Sequence, residues 1–215
     1  NDLCNRYGLD TISTSGVIAF AMEAYERGLI SRRDAGGLDL TWGNAEAMIG
    51  AIHAIANRTG IGDLLAGGVR AAAARIGQGA EAFAIHVKGM EMAYHDPRAF
   101  VTMAANYATA NRGACHLEAL SYWMGYGVRW PGWYAPEAFD DHDSTGKGQV
   151  AVDFQNYMSV YNPLGLCKFI AKGQIGPQNV ADLVNAALGW SWTAGDLLKV
   201  GERLINLKRL INMRM

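Results

Sequence analysis

Cysteine and proline are scarce in this 215-residue chain, at three and five residues, and the net charge is only -1. Each scarcity excludes something. Three cysteines, an odd number standing far apart at positions 4, 115 and 167, do not make a disulfide framework and fit a reducing compartment. No Cys-x-x-Cys pair is present, so the sequence holds no complete zinc or iron–sulfur motif. Balanced charge without a basic run offers no footprint for nucleic acid. The apolar runs are broken by glycine, arginine or glutamate before they could span a bilayer, and no charged-then-apolar leader opens the chain. A cytoplasmic protein that binds neither nucleic acid nor membrane is the expectation.

What is plentiful is apolar surface and glycine: half of the residues are hydrophobic, 18% are charged and 26 are glycine. That is enough to bury a sizeable core. The pattern predicts a mainly α, multi-helical protein with two helical domains, at 1–88 and 89–215. In the first, Thr11 or Ser13 caps a helix that carries Val17, Phe20, Ala21, Ala24 and Tyr25 and stops at Gly28. Asn44 caps a second, with Ala45, Met48, Ile49, Ile52 and Ile55 on one face. Asp63 starts a third, ended past Ile76 by the glycines at 77 and 79. Residues 83–87 alternate like a short strand.

In the second half, Asp96-Pro97 opens a helix reaching about Asn111, and another runs from about 150 to Tyr161. One more is expected around 180–188, begun near Pro177. The last, capped by Thr193, is expected to bury Leu197, Leu198, Leu204, Leu207 and Leu210. Residues 122–136 crowd Trp123, Trp130, Trp133, Tyr126 and Tyr134 among glycines with neither helical nor strand period. Such a stretch suits an aromatic binding loop, and equally a loop packed on helices.

The candidate chemistry starts from a repeated design. Asn5-Arg6-Tyr7-Gly8-Leu9-Asp10 near the start is echoed by Asn162-Pro163-Leu164-Gly165-Leu166-Cys167. Each has an amide residue, a glycine three positions on for a tight turn, a leucine, and then a side chain able to bind a metal or a hydrogen-bond donor. Asn5 and Asn162 offer a donor and an acceptor to a heterocycle, or serve as Asx turns. Asp10 accepts hydrogen bonds from a ligand or caps the next helix. Cys167, after its glycine turn, reads as a thiolate ligand or as a small core residue; Cys4 and Cys115 read as core. His116, delivered by the Arg112-Gly113-Ala114-Cys115-His116 break, suits general acid–base work or a buried, hydrogen-bonded role. The histidines at 53, 86, 95 and 142 lack metal-ligand spacing and read as core or surface.

Several motifs in this order carry a resemblance: Leu3-Cys4-Asn5-Arg6-Tyr7-Gly8-Leu9-Asp10-Thr11-Ile12-Ser13-Thr14, His95-Asp96-Pro97-Arg98, Asn111-Arg112-Gly113-Ala114-Cys115-His116, Leu164-Gly165-Leu166-Cys167-Lys168-Phe169 and Gly201-Glu202-Arg203. Together they resemble the C-terminal half of tungsten-containing aldehyde ferredoxin oxidoreductases, over nearly the whole chain. The resemblance implies a tungsten or molybdenum atom held by two molybdopterins beside a 4Fe-4S cluster, and aldehyde oxidation to acids with electrons passing to ferredoxin. It implies that Asn5, Gly8, Leu9 and Asp10 grip one pterin and Asn162, Gly165, Leu166 and Cys167 the other. Cys167 would be the fourth cluster ligand and His116 the proton-handling residue near the metal.

Two departures stand beside it. The best-known members carry Asp where this chain has Asn5 and Asn162, and the Asn form resembles the tungsten subunit of class II benzoyl-CoA reductase. The N-terminal pterin-base domain with its cysteine triad, and the usual tail, are absent, as expected of a piece of a longer protein. The missing N-terminal domain, ferredoxin or another electron carrier, a small aldehyde and a second copy of the chain are the implied partners. A helical scaffold domain without redox activity is the alternative of another class.

Overall fold

The computed structural model describes residues 1–137 and 139–214. It is mainly helical, and it forms two units: Asn1–Ala93 with Arg112–Ala114, and Tyr94–Asn111 with the residues from Cys115 on.

The first unit contains α1 (Asp2–Tyr7), α2 (Thr11–Glu26), α3 (Ala45–Asn57), α4 (Ile61–Leu65) and α5 (Val69–Ile76), then a hairpin of β1 (His86–Val87) and β2 (Met90–Glu91). The cap of α2 is Asp10, whose carboxylate accepts the Ser13 N–H at 2.7 Å, so neither Thr11 nor Ser13 is the cap, against expectation. Asn44 caps α3 as expected, accepting the Ala47 N–H at 3.1 Å. Its buried face is Ala47, Ala51, Ile52 and Ile55, whereas Met48 and Ile49 are exposed. The helix predicted from Asp63 to Ile76 is two, because Gly68 adopts φ +83° and turns the chain between α4 and α5. Small residues bring these helices together: a Cβ on Gly62 would overlap the Ala54 carbonyl, so α4 rests on the backbone of α3.

The strand expected at 83–87 begins only at His86; Ala80–Phe83 is a 3-10 turn. Lys88 and Gly89, both at positive φ, close the hairpin as a primed two-residue turn does. The buried Glu91 then reaches back, its Oε1 accepting the Val69 N–H at 2.6 Å to satisfy the start of α5. Gly113 belongs to this unit, and a Cβ there would stand 2.6 Å from the Val87 carbonyl oxygen.

The second unit is built on α6 (Val101–Thr109), α7 (Lys147–Tyr161), α8 (Pro177–Leu188) and α9 (Ala194–Asn212). The α6 helix starts later than Pro97, after an Asp96 turn whose carboxylate accepts the Arg98 N–H. The α7 helix is buried around most of its girth, from Val150 through Phe154, Tyr157, Met158 and Tyr161. It packs against α6 and α9, and a Cβ on Gly201 of α9 would overlap the Asn156 carbonyl. Thr193 and Asp196 cap α9 reciprocally. Asn185 closes the α8–α9 corner by bonding both backbone groups of Trp192. On α9, Leu197 is buried, but Leu207 and Leu210 are exposed, against expectation. Met215, the expected end of the last helix, lies outside the described residues. Among the described residues, no helix is long and apolar enough to cross a membrane.

The Gly201 contact yields a stability test. Gly201→Ala is expected to lose about 1–3 kcal/mol in urea unfolding through overpacking. Gly195→Ala, on the same helix with its nearest neighbour at an ordinary 3.5 Å, is expected to be neutral or slightly stabilising.

Candidate functional site

Both Asn-x-x-Gly-Leu loops are the same helix ending. Gly8 sits at φ +68° and Gly165 at φ +66°. In the first loop the Gly8 N–H donates to the Asn5 carbonyl at 3.3 Å and the Leu9 N–H to the Cys4 carbonyl at 2.8 Å. In the second the Gly165 N–H donates to the Asn162 carbonyl at 3.2 Å and the Leu166 N–H to the Tyr161 carbonyl at 3.0 Å. This pair of bonds is the Schellman stop, which requires a left-handed residue and favours glycine. The residue after each leucine is extended and starts the next element: Asp10 at φ −66°, ψ 124° and Cys167 at φ −70°, ψ 123°. Asn5 thus lies on the last turn of α1, not in a free loop, and Asn162 caps α7.

A helix stop alone explains part of the motif. Gly28-Leu29 ends α2 with the same two bonds and has no asparagine. The stop does not account for the side chains of Asn5 and Asn162, both exposed, or for the residue after the leucine. Asp10 uses Oδ1 as a cap. Cys167 stands at the equivalent position, is exposed, and makes no cap with its side chain. Among the described residues, a Cβ on Gly8 or Gly165 would meet no atom within 4 Å beyond its immediate chain neighbours, so both turns are open on that side. Cys4 and Cys115 are buried, as the core reading has it. Among the described residues, no three His, Cys, Asp or Glu side chains come together to hold a metal ion.

His116 is positioned within the second unit by buried amides. Gln155 of α7 donates to Asn106 Oδ1 at 3.0 Å and to Thr109 Oγ1 at 2.9 Å, and Asn106 Nδ2 donates to the Cys115 carbonyl at 3.1 Å. Two residues past His116, the buried Glu118 accepts the Asn111 N–H at 3.3 Å. The Cys167 loop is tied to the same segment: Lys168 Nζ donates to the Leu117 carbonyl at 2.9 Å. The half-buried His116 ring lies 5.2 Å, centroid to centroid, from His95, which stacks on Tyr122 at 3.8 Å and 19°. Burial pushes the proton affinity of His95 down and that of the Tyr122 and Tyr107 hydroxyls up.

The aromatic stretch divides in two. Trp123 and Trp130 are almost wholly buried, and Trp130 Nε1 donates to the Ala171 carbonyl at 2.8 Å. This half is packing that supports the 3-10 segment Lys168–Gly173 after Cys167, not the lining of an open pocket. Tyr122 and Tyr126 instead join Phe100 and His95 beside His116. Sequence spacing flagged Asn5, Asn162, Cys167 and His116. It missed the roles of His95, Lys168, Asn106 and Gln155, which come from contacts across the fold; the His95-Asp96-Pro97-Arg98 and Leu164-to-Phe169 motifs contained two of them.

The chain belongs to the aldehyde ferredoxin oxidoreductase family: residues 1–215 match its domains 2 and 3. It is 39% identical over 221 residues to the tungsten-containing aldehyde ferredoxin oxidoreductase of Pyrococcus horikoshii, covering 100% of this chain and 34% of that protein. The Pyrococcus furiosus enzyme of the same name is 39% identical over 219 residues, with the same coverage. An aliphatic sulfonate oxidoreductase, WOR-like subunit, from Pyrococcus furiosus is 28% identical over 217 residues, covering 97% of this chain and 30% of that one. The chain therefore spans about a third of the length of the curated relatives it matches. Its fold is also that of a chain in the active site complex BamBC of benzoyl coenzyme A reductase with 1,5-dienoyl-CoA, at a TM-score of 0.69 and 24% identity, over 98% of this chain and 37% of that one.

Trp130→Phe tests the support given to the Cys167 segment. Removing one of the two donors to the Ala171 carbonyl is expected to cost about 1 kcal/mol in chemical unfolding. Amide exchange should accelerate in Lys168–Gly173 and stay unchanged in Thr11–Glu26; equal acceleration in both would argue against a local role.

Proposed function

We propose that this chain is the part of a tungsten- or molybdenum-dependent bis-molybdopterin oxidoreductase that grips both pterins and supplies one cysteine of a 4Fe-4S cluster. Residues 1–88 then form part of family domain 2, and residues 89–215 part of domain 3. The whole enzyme oxidises an aldehyde to a carboxylic acid and passes the electrons to ferredoxin. The observation that carries this reading is the matched pair of open glycine turns with exposed Asn5 and Asn162, one of them followed by the exposed, uncapped Cys167.

These residues suit the cofactors they would hold. An exposed primary amide beside an open left-handed turn can both donate to and accept from a pterin heterocycle. Gly8, Leu9 and Asp10 would serve one pterin, and Gly165 and Leu166 the other. Cys167, exposed and making no cap with its side chain, suits iron, and on this reading the remaining cluster ligands come from sequence outside this chain. When bound, the metal centre supplies the two-electron redox step, and the cluster carries electrons onward one at a time. His116, half-buried and held by the Asn106–Gln155 amides, takes the proton released as water adds to the aldehyde carbon.

The asparagines favour a second reading, in which the same machinery reduces an aromatic acyl-CoA, as the Asn-type benzoyl-CoA reductase branch does. Turnover of the full-length protein with aldehydes against benzoyl-CoA analogues separates the two. A full-length protein purified without tungsten or molybdenum from medium that supplies them would support the scaffold reading.

In the full-length protein, Cys167→Ser is expected to lower cluster iron and alter its EPR signal, and His116→Gln to lower kcat by roughly 10²–10⁴-fold while keeping metal content. The 215-residue chain by itself is expected to fold as helix yet contain no stoichiometric iron, sulfide or tungsten. Stoichiometric cofactor in that chain would contradict the assignment of the missing ligands to other sequence.

A further inference from the structure

Among the described residues, three side-chain atoms are sealed from solvent without a hydrogen-bond partner: His95 Nδ1, Thr102 Oγ1 and Asp141 Oδ1. A buried polar atom left unpaired costs about 1–3 kcal/mol, so a persistent one calls for a reason. His95 has a neighbour that can provide it. The His116 ring is 5.2 Å away between centroids and tilted by 43°. Two imidazoles joined by an N–H···N bond of ordinary length have centroids about 5 Å apart.

We infer that His95 is a positioning residue for His116, its sealed Nδ1 accepting the N–H on the His116 nitrogen that faces it once the other nitrogen of that ring has taken up a proton. The inference rests on the oxidoreductase reading of His116. In the resting state the bond is unmade; reorientation of the His116 ring makes it. The rest of the surroundings favours this assignment. His95 is pinned on one face by the Tyr122 stack at 3.8 Å, on an edge by Phe100 at 6.4 Å, and through its carbonyl by the Tyr107 hydroxyl at 3.3 Å. Burial disfavours its own imidazolium form, so it stays neutral and accepts without competing for the proton. With Nδ1 left to accept, the neutral ring carries its own proton on Nε2.

The other ionisable groups are poorly suited to the role. Tyr107 and Tyr122 keep their protons, because burial raises both. Asp96 and Arg98 neutralise each other. Glu118 is engaged with the Asn111 N–H, and Cys115 is buried. The proton balance is simple. Aldehyde plus water gives acid, two electrons for the iron–sulfur carrier and two protons. His116 holds one proton in transit, and the new bond to His95 stabilises that imidazolium until it releases the proton to water, restoring both rings.

The test uses the full-length, cofactor-loaded protein with His95→Phe, which keeps a ring on Tyr122 and removes the acceptor, and His95→Gln, which restores an acceptor. His95→Phe is expected to lower kcat for aldehyde by roughly 10–100-fold with KM changed less than about threefold, and His95→Gln to recover much of the loss. In ¹⁵N-histidine spectra of the cofactor-free full-length chain, His95 is expected to carry its proton on Nε2. The His116 titration midpoint should fall by roughly half a unit to one unit in His95→Phe, because the charged form loses its acceptor. A His95→Phe kcat within twofold of wild type, while His116→Gln is impaired, would overturn the inference and leave the functional reading intact. Absence of aldehyde turnover in the wild type would overturn the reading instead, and the spectra would still decide: an Nδ1–H tautomer at His95, or an unmoved His116 midpoint, rejects the pairing.

Discussion

The left-handed glycine at the end of a helix is the constraint on which the candidate site depends. A helix that must stop and start again within two residues needs one residue at positive φ to turn its last carbonyls onto the amides beyond it. Gly8 and Gly165 supply it, and the bonds they permit hold Leu9 and Leu166 and set the next residue in extended backbone. The turn is stiff because it satisfies the helix terminus, and open because no described residue beyond its immediate chain neighbours would meet a Cβ on the glycine. Stiffness and openness together suit gripping a large planar cofactor with little ordering at the moment of binding. The two copies differ in the residue after the leucine: Asp10 is used by its own helix, whereas Cys167 makes no cap with its side chain.

The second unit adds a buried polar seam to this frame. Asn106 and Gln155, both in the core, satisfy one another and end on the Cys115 carbonyl. Lys168 reaches from the residue after Cys167 to the Leu117 carbonyl. Two sets of bonds therefore act on the His116 segment, one on the backbone before it and one tying the backbone after it to the residue beside the thiol. Trp130 supports the segment after Cys167 from the other side through Ala171. Buried amide bonds of this kind rigidify the backbone they touch.

Family membership sets the scale of what this chain does. It matches domains 2 and 3 along its whole length, yet spans about a third of its relatives' length. The exposed Cys167 and the open glycine turns belong to that third. Leu207 and Leu210 on α9 are apolar residues more than half exposed.

Much of this was legible in the residues. Caps and stops are local: Asn44, Thr193 and Gly28 act on groups within a few positions of themselves, and the motif order carried the family. The Asn-x-x-Gly-Leu pair was legible for the same reason, its bonds closing within six residues. Other features depend on what lies across the fold. Met48 and Ile49 have the right period but face outward, and one expected helix breaks at Gly68, where the buried Glu91 takes the next N–H. Tryptophans suited to a binding loop became packing because Ala171 and Phe154 fill the space beside them. His95 had no spacing to distinguish it; its meaning lies in a sealed nitrogen near His116, a juxtaposition that arises only when separate segments pack. Local hydrogen bonding is written in neighbouring residues, whereas burial and the company a side chain keeps depend on every element that closes over it.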